Sequence, residues 1–291
     1  MKRLLFINLI LLNAAFLQAQ DTGSSLPEKQ RRFHAGISYS FFSTSLDITS
    51  FSAHSVWYGK DLGTFTADDE EIDRINNVRS DINQQNMLTI QVGAILLDKP
   101  EGHWFIDASL LLGVSANNTQ TDLNQPELNE MTTKSGLENP AGGVSINIRY
   151  DLNPHWGITV VPEFYYSWGE TDNISDKINP MTHFFNNNLT EDFSNSYGRI
   201  GLLASYSVKR FTVSAGPGFY YAQMKKSYKI QRSDPETGNE FYDEIKSTLI
   251  SRSFIDGCLK ADWTFINPLT LSVQVAAGKD LIINTGIRYN F

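Results

Sequence analysis

Apolar and polar residues alternate along this chain in ten blocks of about eight to thirteen residues. A two-residue period puts successive side chains on opposite faces of a β-strand. In the first block, Phe33 to Phe42, one face carries Phe33, Ala35, Ile37, Tyr39 and Phe41, and the other carries Gly36, Ser38 and Ser40. The rule repeats from Met87 to Leu97, His103 to Ser115, Gly142 to Tyr150 and Trp156 to Trp168. It continues from Tyr197 to Val208, Phe211 to Tyr221, Phe254 to Phe265 and Leu269 to Ala277, and ends from Asn284 to Phe291. These lengths suit strands that cross a bilayer at a tilt.

The connections alternate as well. After blocks two, four, six and eight come short links such as Lys209-Arg210 and Ile266-Asn267-Pro268, whereas after blocks one, three, five and seven come polar stretches of about 25 to 44 residues. Only the ninth connection, around Gly278-Lys279-Asp280, departs from this by being short. The pattern predicts an all-β fold: a closed, antiparallel, up-and-down transmembrane β-barrel of about ten strands, with short periplasmic turns and long extracellular loops. Trp104, Trp156, Phe211, Trp263, Tyr289 and Phe291 are expected at the short-turn rim. Phe41, Trp168, Tyr197 and Tyr221 are expected at the long-loop rim, as interfacial girdles. Pro162 and Pro217 fall inside strands and predict bulges, because each removes a ladder donor.

The start of the chain fits export. Met1-Lys2-Arg3 is a charged segment, Leu4 to Phe16 is apolar apart from Asn8 and Asn13, and Ala19 offers a small residue for cleavage. Residues 1–19 therefore read as a signal peptide, residues 20–32 as a short periplasmic segment, and residues 33–291 as the barrel. At the other end, Asn284, Gly286, Tyr289 and Phe291 spell polar-x-Gly-x-x-aromatic-x-aromatic. This resembles the C-terminal signal of Gram-negative outer-membrane barrels. The likeness implies recognition by the barrel assembly machinery and a final place in the outer membrane, against lipid and lipopolysaccharide. As an architecture, the mature chain resembles small outer-membrane barrels, in particular the porin-like or PorT-like barrels of Bacteroidota.

Composition narrows the role. Without Lys2 and Arg3 the basic residues number 22 against 32 acidic ones, which argues against a nucleic-acid partner, since that would need a basic stripe. The single cysteine, Cys258, forms no intrachain disulfide. The face opposite the apolar set carries Asp107, Glu163, Asp256 and Asp262 together with Arg149, Arg199, Lys260 and Arg288. Charges gathered in so narrow a lumen must pair. They read either as a balanced ionic plug or as a narrow solute path with a charged filter, and open diffusion would need about 16 strands.

Catalysis is the competing class, because omptin proteases are ten-stranded barrels. The loop groups that could serve it are Asp47, His54, Asp172 and His183, in no paired motif; His34 and His103 lie at the short-turn rim. A hydroxyl–imidazole–carboxylate lipid hydrolase would assemble across strands and leave no local signature. In the first loop, Thr66 and Asp69 suggest a helix start, and Ile72, Ile75, Val78 and Ile82 recur at helical spacing. The acids Asp68 to Glu71 read as that helix start rather than as a cation site. No cofactor or metal is implied. Asn-x-Ser/Thr triplets begin at Asn117, Asn173 and Asn188, and exposed aromatics Phe184 and Phe185 follow His183. The sequence thus predicts a non-enzymatic outer-membrane barrel with a structural, adhesive or narrow-transport role. An outer-rim hydrolase and a secretion-accessory barrel of PorT type are the alternatives.

Overall fold

In the computed structural model, residues 32–99, 103–123, 131–172, 174–176, 186–233, 237 and 240–291 are described. The strands are β1 (Phe33–Trp57), β2 (Lys60–Thr66), β3 (Arg79–Lys99), β4 (Trp104–Leu123), β5 (Met131–Lys134), β6 (Asn139–Asp151) and β7 (Trp156–Thr171). They continue as β8 (Ile174–Asp176), β9 (Asn186–Val208), β10 (Phe211–Ser233), β11 (Glu240–Ser251), β12 (Ile255–Ile266), β13 (Leu269–Ala277) and β14 (Leu281–Asn290). One helix, α1 (Asp69–Val78), lies between β2 and β3. None of the described helices is long and apolar enough to cross a membrane.

Ten of these strands are the staves of a closed antiparallel barrel, in the order β1–β3–β4–β6–β7–β9–β10–β12–β13–β14. The ring shuts where β14 pairs with β1, from His34↔Asn290 to Ser43↔Leu281. At its lower end Phe33 and Phe291 exchange backbone hydrogen bonds of 3.1 and 2.8 Å, and their rings stack at 6.4 Å. Closure leaves no free edge, so every stave's backbone groups are paired within the wall, as lipid requires.

The alternation works as read. Even-numbered positions of β1 point inward (His34, Ser40 and Phe42 are buried), while Phe33, Ile37 and Tyr39 are exposed on the outside. The same alternation exposes Leu110 and Leu112 on β4, Ile200 and Leu202 on β9, and Leu259 and Trp263 on β12. Together they form an apolar belt, edged by Trp104, Trp156, Trp263 and Phe291 below and Trp168 and Tyr221 above. Tyr197 is a correction. Its odd-numbered position on β9 turns it into the lumen, where it is buried, rather than to the upper girdle.

The long polar connections are mostly not loops. Staves β1, β3, β4, β9 and β10 run for 25, 21, 20, 23 and 23 residues, well beyond the belt. Above it the outward face turns polar and the inward face mixes apolar residues such as Leu46, Ile48 and Met224 with polar ones, so the hydrophobic period is lost while the backbone ladder continues. β10 and β9, for example, stay paired up to Ser233↔Asn186. The wall also changes strand number there. β11 pairs with both β10 and β1, so one strand takes the place of β12, β13 and β14, and the wall loses two strands. This accounts for the short ninth connection, whose tip ends under β11. Asp280 in that tip accepts hydrogen bonds from the Ser45 amide at 2.9 Å and the Tyr220 hydroxyl at 2.7 Å.

Three smaller expectations are also corrected. Neither Pro162 nor Pro217 makes a bulge. The β6–β7 ladder passes from Ser145↔Glu163 to Ile148↔Val160 and the β9–β10 ladder from Ala215↔Ala204 to Gly218↔Gly201, each in unchanged register. A proline withholds a single donor, so the ladder omits pairs without inserting a residue. The register shifts instead fall at Ile95/Leu97 and Trp263/Ile266 near the turn rim and at Ile48/Ser50 and Ser55/Val56 above the belt. Helix α1 starts one residue after Asp68. The Asp68 carboxylate accepts from the Glu71 amide at 2.9 Å and the Glu71 carboxylate from the Asp68 amide at 3.0 Å, a reciprocal capping box that displaces the Thr66–Asp69 reading. Ile72 and Ile75 pack on the core, but Ile82 belongs to β3 and is exposed. The Asn76 side chain ties α1 to the bulge in β1 through both the amide and the carbonyl of Ile48, at 2.9 Å each.

Candidate functional site

Four staves bring the central ion set together. Arg199 (β9) donates to both oxygens of Asp256 (β12), Nε–Oδ2 2.8 Å and Nη2–Oδ1 2.7 Å. Its Nη1 lies 3.5 Å from Oε2 of Glu163 (β7). Gln274 (β13) donates to the same Glu163 oxygen at 3.0 Å, and the Tyr165 hydroxyl to the other at 3.4 Å. The side chains of Arg199, Asp256 and Glu163 are 0%, 1% and 5% exposed. Gly218 on β10 lies between Arg199 and Asp256; a Cβ there would come within 2.3 Å of both groups, so the pair reaches across β10 only over a glycine. Guanidinium geometry suits the two-point contact. Two carboxylates and one guanidinium leave the set dependent on neutral donors, which Gln274 and Tyr165 supply.

Directly above the ions the lumen is apolar. Phe42 packs against Tyr165 and Tyr197 with ring centroids 5.2 and 5.0 Å apart, and Tyr197 stacks on Tyr220 at 6.0 Å. With Leu46, Met87 and Met224 they continue the core upward. The cavity between Phe42, Tyr197 and Met224 holds about 10 Å³, and below the ions a second one of about 100 Å³ lies among Glu163, Lys260 and Arg288. A space of about 10 Å³ is at the lower limit for a single water. At mid-height the lumen is filled by these buried side chains.

The other charges named from sequence also face inward, in smaller groups. Arg288 (β14) donates to Asp107 (β4) at 3.0 Å, Lys260 lies 3.4 Å from Asp262, and Ser272 donates to Asp262 at 2.5 Å. Arg149 pairs within its own stave with Asp151 at 2.5 Å, at the short-turn rim. A vestibule of about 430 Å³ opens at that rim over Arg149, Lys260 and Arg288. By direct contact the eight charges fall into four groups, three of which border the same cavity through Asp107, Glu163, Lys260 and Arg288.

Sequence reasoning placed His34 at the rim, but it is buried in the lumen. It lies 3.0 Å from Ser109 Oγ through Nε2 and 3.5 Å from Asp107 Oδ1 through Nδ1. Hydroxyl, imidazole and carboxylate are thus in sequence across β4 and β1, a juxtaposition of long-range pairs that no local motif signals. The surroundings suit a positioning cluster. Gln91 donates to Ser109 at 2.8 Å and Arg288 occupies the carboxylate. The neighbouring backbone N–H groups belong to the wall ladders, so they are not available as an oxyanion hole.

The loop groups do not converge. Asp47 pairs with Arg252 at 2.6 Å, and His54 faces Thr64 at 3.2 Å. Seven residues of extended strand separate Asp47 from His54, about 23 Å. Asp172 is exposed at the end of β7. Asn117 is buried in the upper lumen against Ser135 and Asn195. Glu70 forms an i,i+4 pair with Arg74 at 2.5 Å. His183, Phe184, Phe185, Asn173 and residues 1–19 lie outside the described residues, as does the side chain of Asn188. Of the C-terminal signal residues, Asn284, Gly286 and Tyr289 are ladder members between β13 and β1, with Phe291 closing the seam below them.

A closed antiparallel barrel with a continuous apolar exterior is an outer-membrane β-barrel, and that is the class to which this fold belongs. No family model matches the sequence, and a search of curated proteins finds no match. Among solved structures, the chain is similar in fold to the translocator domain of the autotransporter NalP from Neisseria meningitidis, at 11% identity and TM-score 0.40, covering 96% of this chain and 93% of that one. It is similar to the outer-membrane protease OmpT from Escherichia coli, at 14% identity and TM-score 0.39, covering 93% and 99%. It is also similar to the outer-membrane protein OprG from Pseudomonas aeruginosa, at 8% identity and TM-score 0.32, covering 90% and 97%.

Proposed function

We propose that this chain is a non-conducting, non-enzymatic outer-membrane barrel that acts through its extracellular surface, in adhesion or as an accessory to a partner. The observation that carries the reading is the closed mid-lumen, with Arg199 held between Asp256 and Glu163 under Phe42, Tyr165 and Tyr197. The charged lumen serves to hold ten staves in register, and the strands that rise beyond the belt serve as the working part. A secretion-accessory barrel of PorT type fits the same description, since it too would act through partners rather than as a pore. In this reading β14 carries the signal for the assembly machinery, and the belt rests against lipid and lipopolysaccharide.

Planar-bilayer recording tests the closure. The folded barrel is expected to give no conductance steps, while F42A/Y165A/Y197A, which empties the aromatic layer, gives them. Steps from the unaltered protein would overturn the reading in favour of narrow transport. The non-enzymatic half has its own check, because the Ser109 hydroxyl meets one nitrogen of His34 while Asp107 lies near the other, as in a nucleophile–base–carboxylate series. A fluorophosphonate probe is expected to leave it unmodified. Labelling that vanishes in both S109A and H34A would replace this reading by a hydrolase.

A further inference from the structure

The apolar belt has a hollow in it. On its outer face Phe164 (β7), Gly198 (β9) and Tyr221 (β10) stand side by side in register, and the middle one has no side chain. A Cβ added to Gly198 would meet only the Phe164 ring, at 3.9 Å. The result is a groove of about 450 Å³ with Gly198 as its floor and Phe164 as one wall. Tyr221 and Phe254, whose rings lie parallel within 5° at 6.5 Å, make the other wall. Pro162 and Ile200 lie at the lower end, and Glu163 and Arg199 border the groove with their side chains turned into the lumen.

Position decides what fills it. The groove lies within the belt, where hydrocarbon rather than water covers the wall. An unfilled apolar hollow forfeits dispersion contacts along its lining. A freely exchanging lipid tail would supply them, so a bound lipid needs a second hold on its head group, and Lys225 offers one. Lys225 is in register with Ser194, and Ser194 with Trp168, which sets the lysine at the height of the upper girdle. From Gly198 up to Ser194 is about 13 Å of strand, inside the roughly 15 Å of one leaflet. Among the described residues Lys225 is exposed and has no ion-pair partner. The carboxylates around it on the outer face are taken by other bases. Asp192 pairs with Lys229 at 2.5 Å, Glu244 with Lys246 at 3.0 Å and Asp47 with Arg252 at 2.6 Å. Glu170 stands opposite Asp192, above Trp168, and its charge acts on Lys229. Ser194 and Thr248 flank Lys225 with hydroxyl groups. A free ammonium between hydroxyls suits a phosphate. This rim carries the long connections and so faces the outer leaflet, whose phosphorylated lipid is lipopolysaccharide.

We propose that the groove holds one fatty-acyl chain of a lipopolysaccharide molecule over Gly198, with a phosphate of its lipid A on Lys225. The proposal deepens, and rests on, the reading that the belt lies against lipid and lipopolysaccharide. The test uses the full chain folded in detergent and titrated with purified diphosphoryl lipid A, read by native mass spectrometry. One lipid A is expected to stay on each barrel, and phosphatidylglycerol at the same concentration is expected to be stripped. Retention is expected to fall about tenfold, near 1.4 kcal/mol, in G198L, which fills the groove, and in K225A. If G198L loses the heat-dependent shift in gel mobility, Y221A/F254A takes its place by removing one wall. No retained lipid A, retention unchanged in the groove variant or in K225A, or equal retention of phosphatidylglycerol would each overturn the proposal. A chain that fails to insert into liposomes would sink the membrane reading itself, whereas one that inserts but keeps no lipid A sinks only this site.

Discussion

Replacing Arg199 by methionine is expected to lower the unfolding free energy of the barrel in lipid vesicles by about 3–5 kcal/mol. The change keeps side-chain volume but leaves Asp256 and Glu163 side by side, 1% and 5% exposed, without their shared cation. A carboxylate stranded in a dry lumen must either remain charged at high cost or take up a proton, and both weaken the folded state. The triple variant R199M/D256N/E163Q removes the charges together and is expected to recover most of the loss, since a neutral hydrogen-bonded set carries no ionic desolvation. Urea unfolding followed by tryptophan emission measures both. A loss below about 1 kcal/mol in R199M would show that the ion set is solvated and outside the range measured for buried pairs.

The second large effect is expected at the closing seam. In Gly36→Val, the new Cβ would fall 2.3 Å from the Ile287 carbonyl oxygen and 2.9 Å from the Arg288 Cα, both backbone atoms of β14. Neither can rotate aside, so β1 must move off β14. The cost is placed at or above the upper end of the roughly 1–3 kcal/mol typical of overpacking, because the displaced groups carry the ladder that shuts the ring. Loss of the heat-dependent shift in gel mobility, which reports a closed barrel, is the readout. Gly257→Ala supplies the control: its Cβ would stay 3.8 Å from the nearest atom and is expected to change nothing. A G36V protein that keeps the full mobility shift would mean that closure does not depend on this contact.

The stretches legible in the sequence were those where lipid imposes a period. From Phe33 to Phe41, Leu110 to Val114 or Leu269 to Val275, one face must be apolar and the other polar, and inward positions such as Asp107, Glu163 and Arg199 followed directly from parity. Above the lipid the outward face need no longer be apolar and the packed inward face carries polar as well as apolar residues, so the period loses its cause. Residues 43–57 of β1 and 222–233 of β10 therefore read as loop, although their backbones are as fully paired as those of the staves. β11 was missed for the same reason. The prolines misled in another way, since a missing donor is visible in sequence but the ladder's ability to skip a pair is not.

The chemistry was legible only one residue at a time. Which charges face the lumen is a matter of odd and even numbers, but which of them meet depends on strand stagger, and stagger is set by the pairing of staves far apart in the chain. That is why Arg199 finds Asp256, 57 residues away, while Arg149 turns to Asp151 on its own strand. It is also why His34 could be taken for a rim residue. The sequence by itself determined that this chain crosses a membrane as a closed barrel, because the requirement to pair every backbone group in lipid leaves an alternating chain no other solution. Only the tertiary structure decided that Phe42, Tyr165 and Tyr197 pack over the ion set and that the strands rise far beyond the belt. It alone also placed Phe164 and Tyr221 on either side of Gly198, since contacts between distant residues arise from the geometry of the ring and not from any local pattern.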